Sequence, residues 1–253
     1  MPPYPDYFFV NHLAGSSFEG KVVNQVRTIS ELLEALDSID HLFFRGQADF
    51  KWSLEPSVAR IKNPSNCYSM TLTGWLSLES HLISEFKKYS YHYLKDEPNN
   101  DHDWLVHAQH HGLPTRLLDW SVNPLKALFF AVEDRTLDSV DGALFLCTPK
   151  QIAPTTKYIH EGKGTQFFYS SHINERVSAQ EGGFSIPYVN IEEDNFLHNL
   201  DIDTEKLRTY EKIEIPKEFK PNLRRELNKI GINHRTIYPG LDGISKMLKE
   251  GFS

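Results

Sequence analysis

The chain reads as an α+β protein, a single domain with a small twisted mixed sheet at its core and helices flanking it. Short aromatic or β-branched runs closed by glycine or proline have strand character. Apolar residues recurring at three- and four-residue steps between them mark amphipathic helices. No fixed-period repeat occurs and no long Gly/Ser or Pro tract divides the middle, which predicts one compact unit.

Taken in order, Leu32, Leu33, Leu36 and Ile39 follow helical spacing behind Ser30, predicting a helix over about 30–38 capped by that serine. His41 to Gln47 is a short aromatic strand ended by Gly46, and Trp52-Ser-Leu54 is expected to return as a second strand before Pro56. Leu82, Phe86, Tyr89 and Tyr93 form one apolar stripe on a long helix from about 76 to 94. A further helix from about Asp103 stops at Gly112, and Thr115 to Trp120 follows in extended form. Asn123 caps a buried helix with Pro124 in its first turn, and Leu125, Leu128, Phe129 and Val132 make that helix too apolar for a surface. Gly142 to Cys147 reads as a core strand. Between 150 and 190 short strands are expected around Phe167, Phe168 and Phe184 to Ile186, with Gly182-Gly183 as a sharp turn. Ile213 to Ile215 and Thr236 to Tyr238 are strand candidates, Leu223 to Ile230 a helix ended by Gly231, and Asp242 a cap for a last helix to about Glu250.

Of the 253 residues 40% are hydrophobic and 24% charged, enough apolar material for a core of ordinary size. The first residues lack the basic and apolar regions of a signal peptide, no run approaches a membrane span, and the two cysteines, Cys67 and Cys147, form no CxxC pair. The expectation is a cytoplasmic protein without membrane contact. The net charge of -7 is uneven: residues 206–253 hold 11 basic and 6 acidic side chains, leaving 16 basic and 28 acidic in 1–205. An acidic chain with one basic segment fits a directed contact with phosphate better than a general coating of nucleic acid, and a solvated helix face is the plainer reading of the same charges.

Three constellations carry the chemistry. Arg45, before Gly46 at the end of an apolar strand, places a planar fork where it suits a phosphate or a pyrophosphate, while Gly46 admits a ligand or a second backbone; alternatively Arg45 pairs with a core acid such as Asp119. His110 to Ser121 crowds functional groups between two helices, the density of a site. There Thr115, Asp119, Trp120 and Ser121 either bind ligand or stitch the chain break through side-chain to backbone bonds. His107, His110 and His111 lie at helical steps, so a metal pair is geometrically possible, against hydrogen-bonded histidines at a helix end. Gln180 and Glu181 before Gly182-Gly183 either project into a cleft toward a ribose hydroxyl or form a surface turn. Gly162-Lys-Gly-Thr165 is too short for a phosphate loop, and no Gly-x-Ser-x-Gly elbow occurs.

Phe44-Arg45-Gly46-Gln47, the long run from His111 to Ala131, and Arg176 with Gln180 to Phe184 together resemble the FRG domain family, over about residues 25–245. The resemblance implies one FRG domain over 1–253, with a core at about 25–190 and a basic α/β subregion at about 206–253. It also implies an architecture similar to mono-ADP-ribosyltransferases, in which an arginine of the first strand, a Ser/Thr strand and a late Glu or Gln surround NAD. Carried onto this sequence, NAD would be bound by Arg45, Gly46, Gln47, His111, Thr115, Arg116, Asp119, Trp120 and Ser121. Arg45 with Gln180 or Glu181 would serve catalysis, Thr115 or Ser121 would take the middle-strand role, and no metal is expected. The sequence has no Ser-Thr-Ser triplet and no Glu-x-Glu pair.

The function so implied is an NAD-dependent mono-ADP-ribosyltransferase acting on RNA, DNA or protein, as a bacterial toxin or phage-defence effector with a possible antitoxin partner. The alternatives are a non-catalytic nucleotide or nucleic-acid binding module and, third, a metal-dependent hydrolase using His107, His110 or His111.

Overall fold

The structure is a computed structural model that describes residues 24–37, 42–61, 72–94, 96–154, 164–171, 175–188 and 206–250. Its six strands are β1 (Phe43–Gln47), β2 (Leu118–Ser121), β3 (Gly142–Pro149), β4 (Gly164–Phe168), β5 (Gly182–Tyr188) and β6 (Leu207–Ile215). They form one sheet in the order β4-β5-β2-β1-β3-β6, every pair antiparallel; the parallel contacts are isolated bridges, Gln25 to Glu214 and Ile152 to Phe167. Helices α1 (Ile29–Leu36), α4 (Pro124–Val132), α6 (Lys220–Lys229) and the short α7 (His234–Ile237) pack on the face carrying Phe44, Leu144, Leu146, Ile213 and Ile215. The opposite face carries Phe43, Phe145, Cys147, Leu118 and Trp120, closed by Phe167 and Leu207. Helices α2 (Leu72–Ser90) and α3 (Asp101–His110) build a third apolar cluster around Leu105, Phe168, Phe184 and Ile186. The short α5 (Glu175–Gln180) precedes β5, and α8 (Leu241–Glu250) ends the described chain. The α+β class read from the sequence is borne out.

Local chemistry accounts for the elements and for the departures. The N-cap of α1 is Thr28 rather than Ser30: its hydroxyl accepts from the Glu31 N–H at 3.2 Å, while the Glu31 carboxylate accepts from the Arg27 N–H at 2.8 Å. Ile39 lies outside the described residues. Trp52 to Leu54 is not a strand, because β1 already has β2 on one side and β3 on the other and offers no free edge. Asn100 caps α3, so that helix starts before Asp103, and Asn123 caps α4 as expected, its side chain accepting from Leu125 and Lys126 N–H groups with Pro124 in the first turn. Gly182 and Gly183 are strand residues; the turn before them is made by Glu181 at φ 48°. Thr236 to Tyr238 is not a strand but the end of α7, because Asn233 and Thr236 form a capping box that closes the turn locally. Asp242 lies inside the first turn of α8 rather than before it.

The expected stripe on α2 divides. Phe86 packs against the core, but Tyr89 and Tyr93 face solvent, and Tyr93 belongs to a separate 3-10 turn, Tyr91–Tyr93. Among the described side chains of α2 the buried ones are instead Leu78, Glu79 and Ile83.

Candidate functional site

The sheet supplies an arginine where β1 passes between β2 and α4. Arg45 and Gln47 share one face of the strand, and Gly46 between them faces α4. A methyl group at Gly46 would stand 1.9 Å from the Ala127 carbonyl oxygen, so this glycine lets α4 lie against the strand. The Arg45 guanidinium donates through Nη1 to the Asp119 carbonyl oxygen at 2.5 Å, and its Nε has no partner among the described residues. Burial pulls Arg45 below the ordinary guanidinium value; Asp119 opposes that fall and Arg60 adds to it. Gln47 is tied through Nε2 to the Ser53 carbonyl at 3.2 Å, and its buried Oε1 has no partner among the described residues.

Around this strand lies a cleft of about 330 Å³. Asp119, Trp120 and Ser121 of β2 continue its floor, Arg176 and Gln180 of α5 form one wall, and Arg60, Glu133, Asp134 and Tyr238 complete it. Three guanidinium groups thus share one cavity with three carboxylates and two glutamines. The carboxylates are fixed from behind. Asp119 accepts from Gln109 Nε2 at 2.7 Å, and Gln109 in turn accepts from the Thr115 hydroxyl. Glu133 accepts from the Tyr238 hydroxyl at 2.7 Å and lies 3.2 Å from His234 Nε2. Asp134 accepts from the N–H and hydroxyl of Thr136 at 2.9 and 2.6 Å. Burial, reinforced by Glu133, pushes the Tyr238 phenol far up, so it stays protonated and donating. The Arg176 guanidinium lies 5.3 Å from the centre of the Tyr238 ring. A second, smaller cavity shares Asp119, Trp120, Arg176 and Gln180 with the cleft and adds His110.

Of the residues singled out in the sequence, Arg45, Gly46, Gln47, Asp119, Trp120, Ser121 and Gln180 line the cleft. The Ser121 hydroxyl is engaged in the frame, donating to the Gln180 carbonyl at 2.7 Å and accepting from the Asn123 N–H at 3.0 Å. Four others lie elsewhere. Thr115 is buried, binding Ser57 and Gln109. Arg116 is buried in an ion pair with Glu79 at 2.6 Å. His111 faces another groove, beside Phe86 and His107. Glu181 turns away to an ion pair with Lys126 at 2.6 Å. Arg45 does meet Asp119, but at the backbone carbonyl rather than as a carboxylate pair. Trp52, Arg60, Glu133, Asp134 and Tyr238 were not singled out as site residues; the acidic pair directly after the most apolar helix was the available signal for two of them. Among the described residues no group of three or more His, Cys, Asp or Glu is arranged to hold a metal ion.

Residues 40–139 match the FRG domain family. The matched segment takes in β1, α2, α3, β2 and α4, with the cleft residues from Phe44 to Asp134. Arg176, Gln180 and Tyr238 lie beyond the matched FRG segment. No curated protein and no solved structure matches the chain. Among the described residues no helix is long and apolar enough to cross a membrane.

Proposed function

We propose that the cleft binds NAD and that the protein is a mono-ADP-ribosyltransferase. The observation that carries this reading is the gathering of Arg45, Arg60 and Arg176 around one cavity that also holds aromatic rings and oriented carboxylates. Guanidinium groups are the best-shaped partners for a pyrophosphate, and the half-exposed Trp52 offers a ring face to a base of a dinucleotide. Bound NAD supplies the bond between ribose C1′ and the nicotinamide nitrogen; that bond breaks with its electron pair leaving on nicotinamide, and a bond from the acceptor forms at C1′ as the acceptor's proton passes to solvent. The protein's own part is orientation and electrostatics. Arg45 anchors the pyrophosphate with an N–H that no group among the described residues occupies. Gln180 takes the late polar role on the cleft wall in preference to Glu181, whose carboxylate is held by Lys126. Glu133, held by Tyr238 and His234, favours positive charge developing on the ribose.

The test is nicotinamide release and label transfer from adenylate-labelled NAD to RNA, single-stranded DNA and cell protein, with Arg45→Ala as control and a thermal melt of both proteins. Removing one preorganised electrostatic donor lowers turnover by about 100- to 1000-fold, so a folded Arg45→Ala variant with unchanged release refutes the mechanism. A toxin or phage-defence role predicts growth arrest on cytoplasmic expression of the wild type, relieved by the same substitution. One observation favours a second reading, a nucleotide-binding module. Every carboxylate in the cleft already accepts hydrogen bonds from the protein, so each is committed to a protein donor. NAD binding with no nicotinamide released, lost on Arg45→Ala, would select it.

A further inference from the structure

Two of the cleft residues, Arg176 and Gln180, stand on a helix that cannot hold itself in place. Helix α5 has six residues, well under the roughly 12–15 at which an isolated helix becomes even marginally stable in water, and none of its side chains is fully buried. Val177 packs half-buried against the apolar cluster of α2 and α3, and Arg176 lies over the Tyr238 ring. The Gln180 side chain is loosely held, its amide 3.5 Å from the Ile237 carbonyl, so the backbone beneath it decides where it stands. That backbone is gripped from the stretch joining β2 to α4. The Ser121 hydroxyl donates to the Gln180 carbonyl, the Val122 N–H to the Glu181 carbonyl at 2.9 Å, and the Lys126 ammonium to the Ala179 carbonyl at 2.6 Å. Ala179 and Gln180 are among the last four residues of the helix, whose carbonyls have no partner within it.

We propose that Lys126 is a positioning residue, latching α5 to α4 and so setting Gln180, with Arg176 a turn behind it, on the wall of the cleft; what those side chains bind rests on the NAD reading, whereas the latch itself does not. Lys126 does more than cap the helix. It also pairs with the Glu181 carboxylate at 2.6 Å, so one ammonium holds the chain on both sides of Gln180. Its side chain is 17% exposed, which protects these charge-assisted bonds from competing water. Glu181 is, among the described residues, the one non-glycine residue with positive φ, at 48°. A Cβ makes that conformation unfavourable and a glycine there would relax it, but a glycine would give Lys126 nothing to hold on the far side of Gln180. Lys126 lines neither the cleft nor the smaller cavity beside it, so any effect it has on a ligand must pass through the residues it holds. The FRG-matched segment, which contains Lys126, thus reaches past its own end to organise α5.

The experiment uses the full chain as wild type, Lys126→Met and Lys126→Arg, each also in a Gln180→Ala background. NAD affinity is measured by isothermal titration calorimetry, nicotinamide release alongside it, stability by thermal melting, and the hold on α5 by amide hydrogen exchange of the 175–184 peptide. Lys126→Met keeps the apolar stem and loses the ammonium; it should speed exchange of that peptide by roughly tenfold, leave peptides from β1 and β3 unchanged, and weaken NAD binding by roughly tenfold. Lys126→Arg keeps a cation and should bring both back to within about threefold of wild type. In the Gln180→Ala background the methionine change should alter affinity by less than about threefold, because the group it positions is gone. Equal losses in the two backgrounds, full affinity in Lys126→Met, or a loss that accompanies a lower melting temperature and faster exchange throughout the sheet overturns the positioning role. If the wild type neither binds NAD nor releases nicotinamide, the transferase reading falls and exchange alone decides the latch: acceleration confined to 175–184 upholds it, and unchanged exchange overturns it.

Discussion

Gly46→Ala tests whether the glycine of the Phe-Arg-Gly motif serves packing or ligand approach. A Cβ at this position meets the Ala127 carbonyl oxygen at 1.9 Å, the Ala131 nitrogen at 2.6 Å and the Ala127 carbonyl carbon at 3.1 Å. Real contacts of this type essentially never fall below 3.0 Å, so β1 and α4 must separate by about 1 Å. No rotamer relieves the clash, because the obstacles are all backbone. Helix α4 contributes Ala127, Leu128, Phe129, Ala131 and Val132 to the main apolar cluster, and a gap of about 1 Å forfeits up to half the dispersion energy across that face. Overpacking of a core costs about 1–3 kcal/mol, and a backbone-on-backbone clash belongs at the upper end. For a chain of this length each kcal/mol lowers Tm by about 2–4 °C, so we expect Gly46→Ala to melt roughly 6–12 °C below wild type by circular dichroism. Calorimetry checks that the transition remains cooperative. A variant that melts within about 2 °C of wild type yet has lost NAD binding would refute this reasoning and assign the glycine to ligand approach instead.

Breaking the buried Glu79–Arg116 pair with Arg116→Ala should cost about 3–5 kcal/mol in urea unfolding, whereas Glu79→Leu with Arg116→Met should recover most of it; equal losses in both variants would show that the charges themselves are needed. His110 has its pKa lowered by burial, then by His111 and Arg176. The unfolded chain therefore takes up that proton first, and this group's contribution to stability is complete above about pH 6.5 and declines as pH falls from there toward the lower folded value. An NMR titration should place the His110 midpoint below 6.5, His110→Gln should flatten the acid limb of the stability profile, and a midpoint at or above 6.5 would contradict the environment described. The Cys147 thiol is fully buried in β3 and burial pushes its pKa far up, so peptide-resolved iodoacetamide labelling at pH 8 should leave it unmodified until the protein unfolds. Fast labelling of the native protein would contradict that burial.

What was legible in the sequence is what is decided locally. Asn123-Pro124 announces the start of α4 because the cap and the first-turn proline act within three residues. Gly142 to Cys147 announces a core strand because every residue of β3 is buried. Arg45 stood out because an arginine inside an apolar strand needs a destination. The failures are decided elsewhere in the fold. Trp52 to Leu54 has strand composition but no strand edge left to join, and Thr236-Ile-Tyr238 has β propensity that the Asn233 capping box overrides. Thr115, Arg116 and Glu181 look as much like cleft-lining residues as Asp119 does until their partners are known. Those partners are Gln109, Glu79 and Lys126, the last two far from them in sequence. Arg60 and Tyr238 reach the cleft from segments that carry no local signal, so only the folded chain could reveal them.

The extent of the FRG match bears on what that segment can be by itself. Residues 40–139 contain two of the six strands, and β1 has one register pair with β2 but five with β3, which begins at Gly142. Without β3, β5 and β6, both inner strands would present open edges and the main apolar cluster would lose Leu144, Leu146, Ile213 and Ile215. The same holds for the site. The segment supplies the floor of the cleft, but the carboxylate of Glu133 is oriented by Tyr238 and His234. Arg176 reaches the cleft from α5, stacked on that same tyrosine. A truncation after residue 139 would therefore remove both the sheet partners that hold Arg45 in place and the groups that face it across the cleft. The unit that can fold with a complete cleft must run at least to Tyr238, and a loss of ligand binding in a shorter fragment would report unfolding of β1 before it reported anything about the proposed chemistry.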